Sequence, residues 1–587
     1  MNSAMLFNGN AMTNKKTNAA IIIFSLAVFL SLALLNSCAV NRTYTPDEPY
    51  LKDADRKDIP EPKKHDPNLA WTSIKRSVFD QVDQALDVER TFRKLFGARR
   101  ESHNINGYDE VPNSSWFTNR HTLFPMTSEE LTRGQIVVGP PDTTGDWEVF
   151  RPKIGGTTGG FWIKDIKGNS YLIKFDPPGY GELATGAGVV GSRYFHACGY
   201  NVPEETIVYW RPEILKIRPG VTVKDGKKKR PFTQEDLQSI LDGAHKEPDG
   251  RIRSLASKGI EGKIKDPFSY SGIRRDDPND WCRHENRREL RGLYVIASFI
   301  NHYDCKDHNS LDTYIEQDGK HFLKHYLTDF NSSLGSDGLR PKPPKKGYAN
   351  MVDLRDMFVS LITLGLKVWP WENGGTIEFT SVGYFESKIF KPNKFDPIIP
   401  NPAFEEMTSR DAFWGAKIVM SFSESDLQAL LAAGQYSDPE AEAYLLKTLK
   451  ERQEKIGRHW FSKVNPLDNF EYAADSDGLH FRFEDLSVKY GFEEASASQY
   501  KYSVRYNKKP LIGDSEFSGA EFSLSSKDLA LYYQPTPKEL PQEHLYEIIV
   551  KTKRGHASYW SKPLALWLWY DHTQNSFQLV GIEHRSS

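Results

Sequence analysis

The stretch HYDCKDHN, residues 302–309, carries the clearest indication of the fold of this chain. It places a carboxylate, Asp304, five residues before an amide, Asn309, just after a segment with helical periodicity. A second stretch, HYLTDFN at residues 325–331, places another carboxylate, Asp329, after an apolar strand pattern. A carboxylate can accept a proton from a hydroxyl group, and a pair of oxygen ligands suits a divalent cation that also binds phosphates.

The residues between these two stretches predict a β-hairpin. The segment SLDTYIEQDGKHFLKHYL reads as two strands around Asp318-Gly319, a dipeptide typical of tight hairpin turns. A hairpin that begins after Asn309 and ends before Asp329 returns the chain to its starting point. We therefore expect Asp304, Asn309 and Asp329 to converge.

Upstream of this region, residues 147–175 predict strands separated by a glycine-rich turn, GGTTGG. Its backbone N–H groups can approach phosphates because glycine has no Cβ. The turn contains Gly155, Gly156, Gly159 and Gly160. An ordinary hairpin turn explains the same residues without any ligand.

Lys174 lies on the third strand of this unit and precedes a helix expected from about Gly181 to Cys198, which Gly199 ends. Glu182 lies in the first turn of that helix. Together they indicate a lysine held by a glutamate and directed at the phosphates of a nucleotide. An exposed strand lysine and a carboxylate that favours the helix dipole are the simpler interpretation.

In this order, the pieces resemble the protein-kinase-like superfamily, above all its atypical branches, the HipA-type, secretory-pathway and CotH-type kinases. The resemblance covers about residues 147–460 and implies a two-lobed fold. It implies that Lys174 binds the nucleotide with Glu182 as its partner, and that Asp304 is the catalytic base. Asn309 and Asp329 are then the ligands of Mg²⁺ or Mn²⁺.

The sequence departs from the usual kinase motifs at three places. GGTTGG is not a G-x-G-x-x-G loop, Tyr303 stands where an arginine is usual, and Asn331 replaces the glycine after Asp329-Phe330. A basic loop with Lys342, Lys345 and Lys346 follows; it is either solvated or receives an anionic acceptor.

The resemblance implies transfer of a phosphoryl group from ATP, or another nucleotide, to an acceptor that is a protein, a glycan or a lipid. A non-catalytic binding module of the same fold at the cell surface is one alternative, and transfer of AMP is another. His302, Cys305 and His308 could suggest zinc, but a fourth ligand is not evident and the nearby carboxylates are hard donors.

Residues 1–38 predict an export signal that ends at a lipid-modified cysteine, Cys38. A short basic region precedes an apolar run from Ala19 to Leu35, and the sequence Leu-Asn-Ser-Cys resembles a bacterial lipobox. A membrane-spanning anchor is the alternative. With the lipid anchor, we expect a protein of the bacterial cell envelope, on the outer membrane or its periplasmic face, attached to the membrane through Cys38.

Composition limits the remaining possibilities. A net charge of −2 over 587 residues gives no electrostatic bias toward nucleic acid, so no nucleic-acid partner is expected. Of the 4 cysteines, those other than Cys38 are too few for a disulfide scaffold, and the core must hold the fold. Trp567 and Trp569 favour core packing over a glycan-stacking platform.

The sequence as a whole predicts an α+β protein with a two-lobed kinase-like body and a C-terminal all-β, sandwich-like domain. The expected segments are a signal peptide at 1–38, a disordered tether at 39–70, a mainly helical extension at 71–146, an N-lobe at 147–210, a C-lobe at 211–462 with an insertion at 211–283, and a β-sandwich at 466–587.

Overall fold

The structure, a computed structural model, describes residues 44–46, 55–87, 100–153, 159–225, 228–476, 478–532, 545–555 and 557–585. The predicted signal peptide with Cys38, much of the tether, and Gly155 and Gly156 lie outside these residues. In the part that is described, no helix has both the length and the apolar character needed to cross a bilayer.

Helices and strands both contribute to the fold. The helices are α1 (Leu69–Ile74), α2 (Asp80–Leu86), α3 (Ser128–Arg133), α4 (Leu183–Cys198), α5 (Gln234–Asp242), α6 (Arg288–Phe299), α7 (Leu354–Ile362), α8 (Pro402–Glu405), α9 (Ser409–Met420), α10 (Glu424–Ala432), α11 (Pro439–Phe461), α12 (Leu486–Lys489) and α13 (Ser526–Ala530). The strands are β1 (Trp147–Pro152), β2 (Gly160–Lys164), β3 (Ser170–Phe175), β4 (Glu205–Trp210), β5 (Leu215–Ile217), β6 (Thr222–Asp225), β7 (Lys228–Pro231), β8 (Ile252–Lys258), β9 (Lys263–Ile264), β10 (Ser310–Gln317), β11 (Lys320–Leu327), β12 (Leu467–Ala474), β13 (Leu479–Asp485), β14 (Ser498–Tyr506), β15 (Lys509–Phe517), β16 (Glu521–Leu524), β17 (Leu545–Arg554), β18 (Leu564–Asp571) and β19 (Ser576–His584).

A six-stranded sheet in the order β4-β8-β3-β2-β1-β5 forms the first folded unit. Here the structure differs from the predicted insertion at 211–283, because β8 from that segment lies inside the sheet and pairs with both β3 and β4. The domain boundary expected at residue 210 therefore falls within this sheet. Strand β8 joins its neighbours only after a long connection, so local sequence carries no signal of its position.

Helix α4 packs on one face of this sheet. Val189 of the helix shares a small core with Ile207 and Leu255 of the sheet. The helix runs as predicted to Cys198 and ends at Gly199, whose φ of 118° is a left-handed conformation typical of a glycine cap. On the opposite face, apolar side chains of the sheet bury Leu237 and Leu241 of α5.

The hairpin predicted between Asn309 and Asp329 is confirmed. Strands β10 and β11 pair in antiparallel register from Ser310 with Leu327 to Gln317 with Lys320. Asp318 and Gly319 form the turn with φ values of 53° and 71°, both in the left-handed region that such a turn requires.

Helices α6, α9 and α11 form the core of the next unit and pack against α4 and the hairpin. Helix α11 begins at Pro439 behind Asp438, and proline suits the first helical position because its missing N–H group would have no partner within the helix. Between residues 332 and 401 the chain is mostly irregular, with α7 as the main helix.

The C-terminal region consists mostly of antiparallel strands, and the α+β class is confirmed. One sheet has the order β12-β13-β16 and the other the order β15-β14-β17-β18-β19. Both sheets contribute to a single apolar core, in which Phe481 and Phe522 of the first sheet lie with Tyr500 and Ile548 of the second. Trp567 packs on Tyr44 with ring centroids 4.8 Å apart, which is a packing role.

The region 71–146 has less helix than expected, since residues 100–127 are irregular in the structure. Asparagine and serine side chains there bond to the backbone instead; Ser114 Oγ, for example, accepts hydrogen bonds from the Trp116 and Phe117 N–H groups at 3.2 Å. Ahead of α1, residues 55–66 form an extended arm on the β10–β11 hairpin. Within this arm, Ile59 N–H donates to the His321 carbonyl at 2.9 Å.

Candidate active site

Lys174 lies on β3, a central strand of the sheet, between Gly160 of β2 and Leu255 of β8. It is buried, and its Nζ donates a hydrogen bond to Asp329 Oδ1 at 2.9 Å. Burial alone lowers the pKa of Lys174, but the carboxylates of Asp329 and Glu205 outweigh it and the pKa lies above its ordinary value. Lys174 is therefore a fixed cation that meets the end of the hairpin.

Glu182 does not contact this lysine in the way the resemblance implied. Both of its carboxylate oxygens accept from the Ser437 N–H, at 3.0 and 3.1 Å, which ties the start of α4 to the loop before α11. The first turn of α4 is capped by Asp176 instead, whose Oδ1 accepts from the Ala184 and Thr185 N–H groups at 2.7 and 2.9 Å. The two carboxylates thus position the helix, and Lys174 has another partner.

Asp304 and Asn309 are held together within one short loop. Asn309 Nδ2 donates to Asp304 Oδ2 and to the Asp304 backbone carbonyl, each at 2.9 Å. Lys306 Nζ lies 2.6 Å from Asp304 Oδ1. Lys306 was not among the residues singled out in the sequence, although its place between the carboxylate and the amide, on the same loop, could have identified it.

The end of the hairpin joins this loop to Asp329. Thr328 N–H donates to the Asn309 carbonyl at 2.9 Å, which brings the following residue, Asp329, next to Asn309. Asp329 has a φ of 64°, a left-handed conformation that is uncommon for aspartate and that turns the chain sharply at this point. The structure therefore brings Asp304, Asn309, Asp329 and Lys174 to one place.

A cluster of three buried rings packs against the loop of residues 302–309. His302 lies against Phe330 and Phe195, with ring centroids 5.5 and 5.4 Å away, and Phe195 stacks on Phe330 at 5.0 Å. Burial lowers the pKa of His302 to about 4, so the ring is neutral, and its Nδ1 lies 3.0 Å from Ser333 Oγ. A neutral, buried ring is suited to support rather than to proton transfer.

Only the second half of the glycine-rich turn can be described. Gly160 starts β2 opposite Lys174, and a Cβ at this position would collide with the Ile173 carbonyl oxygen. Gly159 has more room, since its Cβ would lie 3.7 Å from Ile240 Cγ2. Lys153, whose N–H donates to the Gly160 carbonyl at 3.0 Å, adds a second cation beside Asp329.

The charges of this cluster act mainly on Asp329. Burial opposes its ionisation, but the nearby charges of Lys174 and Lys153 hold the pKa of Asp329 at about 2. For Lys153, burial and the charge of Lys174 lower the pKa to about 8. Asp329 is thus ionised at neutral pH, and its side chain keeps 41% of its exposure, which leaves it accessible to a ligand.

Glu205 is a further member of the site that sequence reasoning missed. It lies on β4, is fully buried, and accepts a hydrogen bond from Ser257 at 3.1 Å through Oε1. Its other oxygen, Oε2, has no hydrogen-bond partner in the described part of the chain. Burial raises the pKa of Glu205 to about 7, against the lowering effect of Lys174.

The oxygens of Asn309 and Asp329 fit a hard divalent cation. Neither Asn309 Oδ1 nor Asp329 Oδ2 makes a hydrogen bond within the described residues, and both are of the donor type that Mg²⁺ prefers. Across those residues, no group of three or more His, Cys, Asp or Glu side chains is arranged to hold a metal ion. A cation here would therefore need further oxygens from a phosphorylated ligand or from water.

The basic loop predicted as a possible acceptor site has mostly internal partners. Lys342 is buried and its Nζ donates to the Lys346 carbonyl at 3.1 Å. Lys346 bonds to Asp337, which also accepts from the Tyr303 hydroxyl. These bonds attach the loop to the residue before Asp304.

Comparisons with known proteins give little further information. Neither protein-family models nor curated protein sequences match this chain. Among solved structures, the chain is similar to the crystal structure of a Helicobacter pylori proinflammatory kinase, CtkA, at 10% sequence identity and a TM-score of 0.30, over 54% of this chain and 95% of that one. A TM-score this low supports no conclusion about function.

Proposed function

We propose that this protein is a kinase-like phosphotransferase that uses a nucleotide such as ATP together with Mg²⁺ or Mn²⁺. The observation that supports the proposal is the convergence of Asp304, Asn309 and Asp329 from the two ends of one hairpin, facing a buried lysine from the sheet. Phosphoryl transfer depends mostly on positioning and charge neutralisation, for which this set of groups is suited.

Each residue has a separate task in this proposal. Lys174 is a preformed cation for nucleotide phosphates. Asn309 and Asp329 would hold the divalent cation, which neutralises phosphate charge when bound. Asp304 accepts the proton of the acceptor hydroxyl, and Lys306, 2.6 Å from Asp304, is placed to offset the negative charge of the transferred group.

The wider setting is also proposed. With a lipid-modified Cys38, the enzyme acts in the bacterial cell envelope, and its acceptor is a protein, a glycan or a lipid. No nucleic acid takes part, in keeping with a net charge of −2.

Nucleotide binding by the full-length protein is the first test. Thermal unfolding with and without ATP and Mg²⁺ or Mn²⁺ should show a higher midpoint with the nucleotide–metal pair, because a ligand of the folded state stabilises it by mass action. Asp329→Asn should remove the increase. Because this change leaves Lys174 buried without its partner, Lys174→Met/Asp329→Asn serves as a charge-neutral second variant.

A substitution of Asp304 distinguishes nucleotide binding from phosphoryl transfer. Asp304→Asn should keep the thermal shift and lose about 10²–10⁴-fold in transfer rate, the contribution expected of a general base. Asp318→Asn on the exposed hairpin turn makes the same chemical change away from the site and should alter neither. Full activity of Asp304→Asn would refute its assignment as the base, and an acceptor gaining AMP instead of one phosphate would refute phosphoryl transfer.

A further inference from the structure

Helix α7 and the residues after it present a run of exposed apolar side chains, which we name the apolar ridge. Their exposed fractions range from 61% to 85%. The ridge consists of Met357, Phe358, Leu361, Ile362, Leu364 and Leu366. Contiguous apolar surface of this kind is rare on a free protein surface and marks a place where something binds.

The ridge adjoins the candidate active site through short backbone links. Met351, just before α7, donates its N–H to the Ile398 carbonyl at 2.8 Å, and Ile398 N–H donates to the Tyr303 carbonyl at 2.8 Å. Tyr303 directly precedes Asp304. A partner on the ridge would therefore lie beside the loop that carries the proposed base.

The first two helices extend the same surface. Gln81 of α2 donates to the Val352 carbonyl at 2.8 Å, so α2 lies alongside the start of α7. Phe79 and Leu86 add exposed apolar side chains, with exposures of 51% and 73%. Arg76, which lies between α1 and α2, is buried with its Nε 2.9 Å from Asp307 in the loop of residues 302–309, and this pair fixes the two helices to the candidate site.

The chemistry of the ridge matches the interfacial layer of a lipid bilayer. At its end, Trp369 and Trp371 stack with centroids 4.9 Å apart, and Lys367 Nζ lies 4.1 Å from the Trp369 ring centroid. Tryptophan and lysine, with an apolar body and a polar tip, favour the headgroup region. Around α7 and the two tryptophans, two positive side chains, Arg355 and Lys367, stand against three negative ones, Asp353, Asp356 and Glu372, so apolar contact rather than charge would drive binding.

We infer that the apolar ridge docks on the surface of the lipid bilayer that carries the chain's own N-terminal anchor. Only residues 39–43 separate the predicted lipid site, Cys38, from Tyr44, which packs on Trp567, so the anchor holds the folded body close to the bilayer surface. One consequence rests on the proposed function: the acceptor would be presented at the membrane surface, next to Asp304. Docking itself does not depend on catalysis.

Site-specific fluorescence can locate the ridge relative to the membrane. Leu364→Cys, labelled with an environment-sensitive fluorophore, is measured in the full-length protein reconstituted into phosphatidylcholine vesicles. Val137→Cys, at a residue that is 88% exposed, is the matched control. The described cysteines, Cys198, Cys282 and Cys305, are buried, and the unsubstituted protein gives the labelling background. We expect quenching of the Leu364 probe by doxyl-labelled lipid and loss of its quenching by iodide, with the opposite pattern at Val137.

The substitution Phe358→Asp/Leu361→Asp, in the Leu364→Cys protein, should restore iodide quenching of the probe. Both side chains are exposed, so the thermal midpoint should not change, and an unchanged midpoint shows that the fold persists. Adding phosphatidylglycerol or salt should change little. A Leu364 probe that remains open to iodide on vesicles, as Val137 does, would overturn docking and favour a protein partner. Loss of nucleotide binding would refute the proposed function without affecting this result.

Discussion

At the scale of single residues, the site is defined by which buried charges have partners. Lys174 has Asp329 at 2.9 Å, whereas Glu205 has one oxygen bonded to Ser257 and one without a partner in the described residues. An unpartnered carboxylate in a buried position favours its protonated form. A ligand that engages Asp329 would release Lys174 toward Glu205, the carboxylate that raises the pKa of Lys174 most strongly after Asp329.

Glu205 should make stability depend on pH. Its pKa is about 7 in the folded state and 4.5 without the fold, so between these values only the folded state holds the proton. Raising the pH through this window therefore lowers the free energy of unfolding, by about 3 kcal/mol once pH 7 is passed. Chemical denaturation at pH 5 and pH 8 should show a steeper fall in the parent protein than in Glu205→Gln.

The matched control for this pH effect is Glu182→Gln, since Glu182 bonds to a backbone N–H outside the buried cluster. Its pH dependence should parallel that of the parent protein. Equal slopes for the parent and Glu205→Gln would contradict the proposed protonation of Glu205.

At the scale of elements, substitutions in the glycine-rich turn and at the start of β2 measure how closely the sheet packs around Lys174. Gly160 lies opposite Lys174 in the β2–β3 register, and a Cβ there meets the Ile173 carbonyl oxygen. Its neighbour Gly159 has space for a methyl group. Glycine is therefore required at position 160, whereas position 159 has room for alanine.

Gly160→Ala should destabilise the protein by about 1–3 kcal/mol, as expected when a methyl group is forced into a packed site. Gly159→Ala should have a much smaller effect, because its Cβ would lie at an ordinary contact distance, 3.7 Å, from Ile240. Denaturant unfolding of both variants measures the difference. Similar losses for the two would show that the collision at Gly160 is relieved by movement of β2.

Elements with local signals were predicted well, and those that depend on distant partners were not. The Asp318-Gly319 dipeptide determines the hairpin turn locally, and Gly199, next to Cys198, determines where α4 ends. By contrast, β8 enters the sheet between β3 and β4 from far along the chain, and Glu182 finds Ser437 at a separation of 255 residues. The convergence at Asp329 could be predicted because one hairpin joins its parts; the place of Glu205 required the sheet order.

At the scale of the whole molecule, a buried ionic network joins regions far apart in sequence. Asp109 accepts from Arg288 and from Arg410 at 2.8 Å each, and its other oxygen lies 3.1 Å from His584 Nδ1. These residues belong to the irregular N-terminal region, the helical core and the last strand. The C-terminal β region is therefore fixed to the helical unit and does not form a loosely attached domain.

Asp109→Asn should lower the free energy of unfolding by about 3 kcal/mol or more, since it removes a negative charge that pairs with two buried arginines, Arg288 and Arg410. Asparagine tolerates the φ of 63° at this position, so the backbone is not the cause. The control is Asp514→Asn, whose carboxylate pairs with Lys501 at 2.5 Å but is 59% exposed; its effect should stay within about 1 kcal/mol. Equal effects would show that the network contributes no more than a surface pair.

The arm at residues 55–66 has a mechanical consequence. It is joined to the free edge of β11 through Ile59, and β11 leads directly into Asp329. If the chain is held at Cys38, a pull on the protein reaches Tyr44 on Trp567 first, then Asp55, which accepts from the Ser115 N–H, and only after these the hairpin. A load large enough to release Tyr44 from Trp567 and Asp55 from Ser115 would then pass through Ile59 to β11, the strand that leads into the carboxylate facing Lys174.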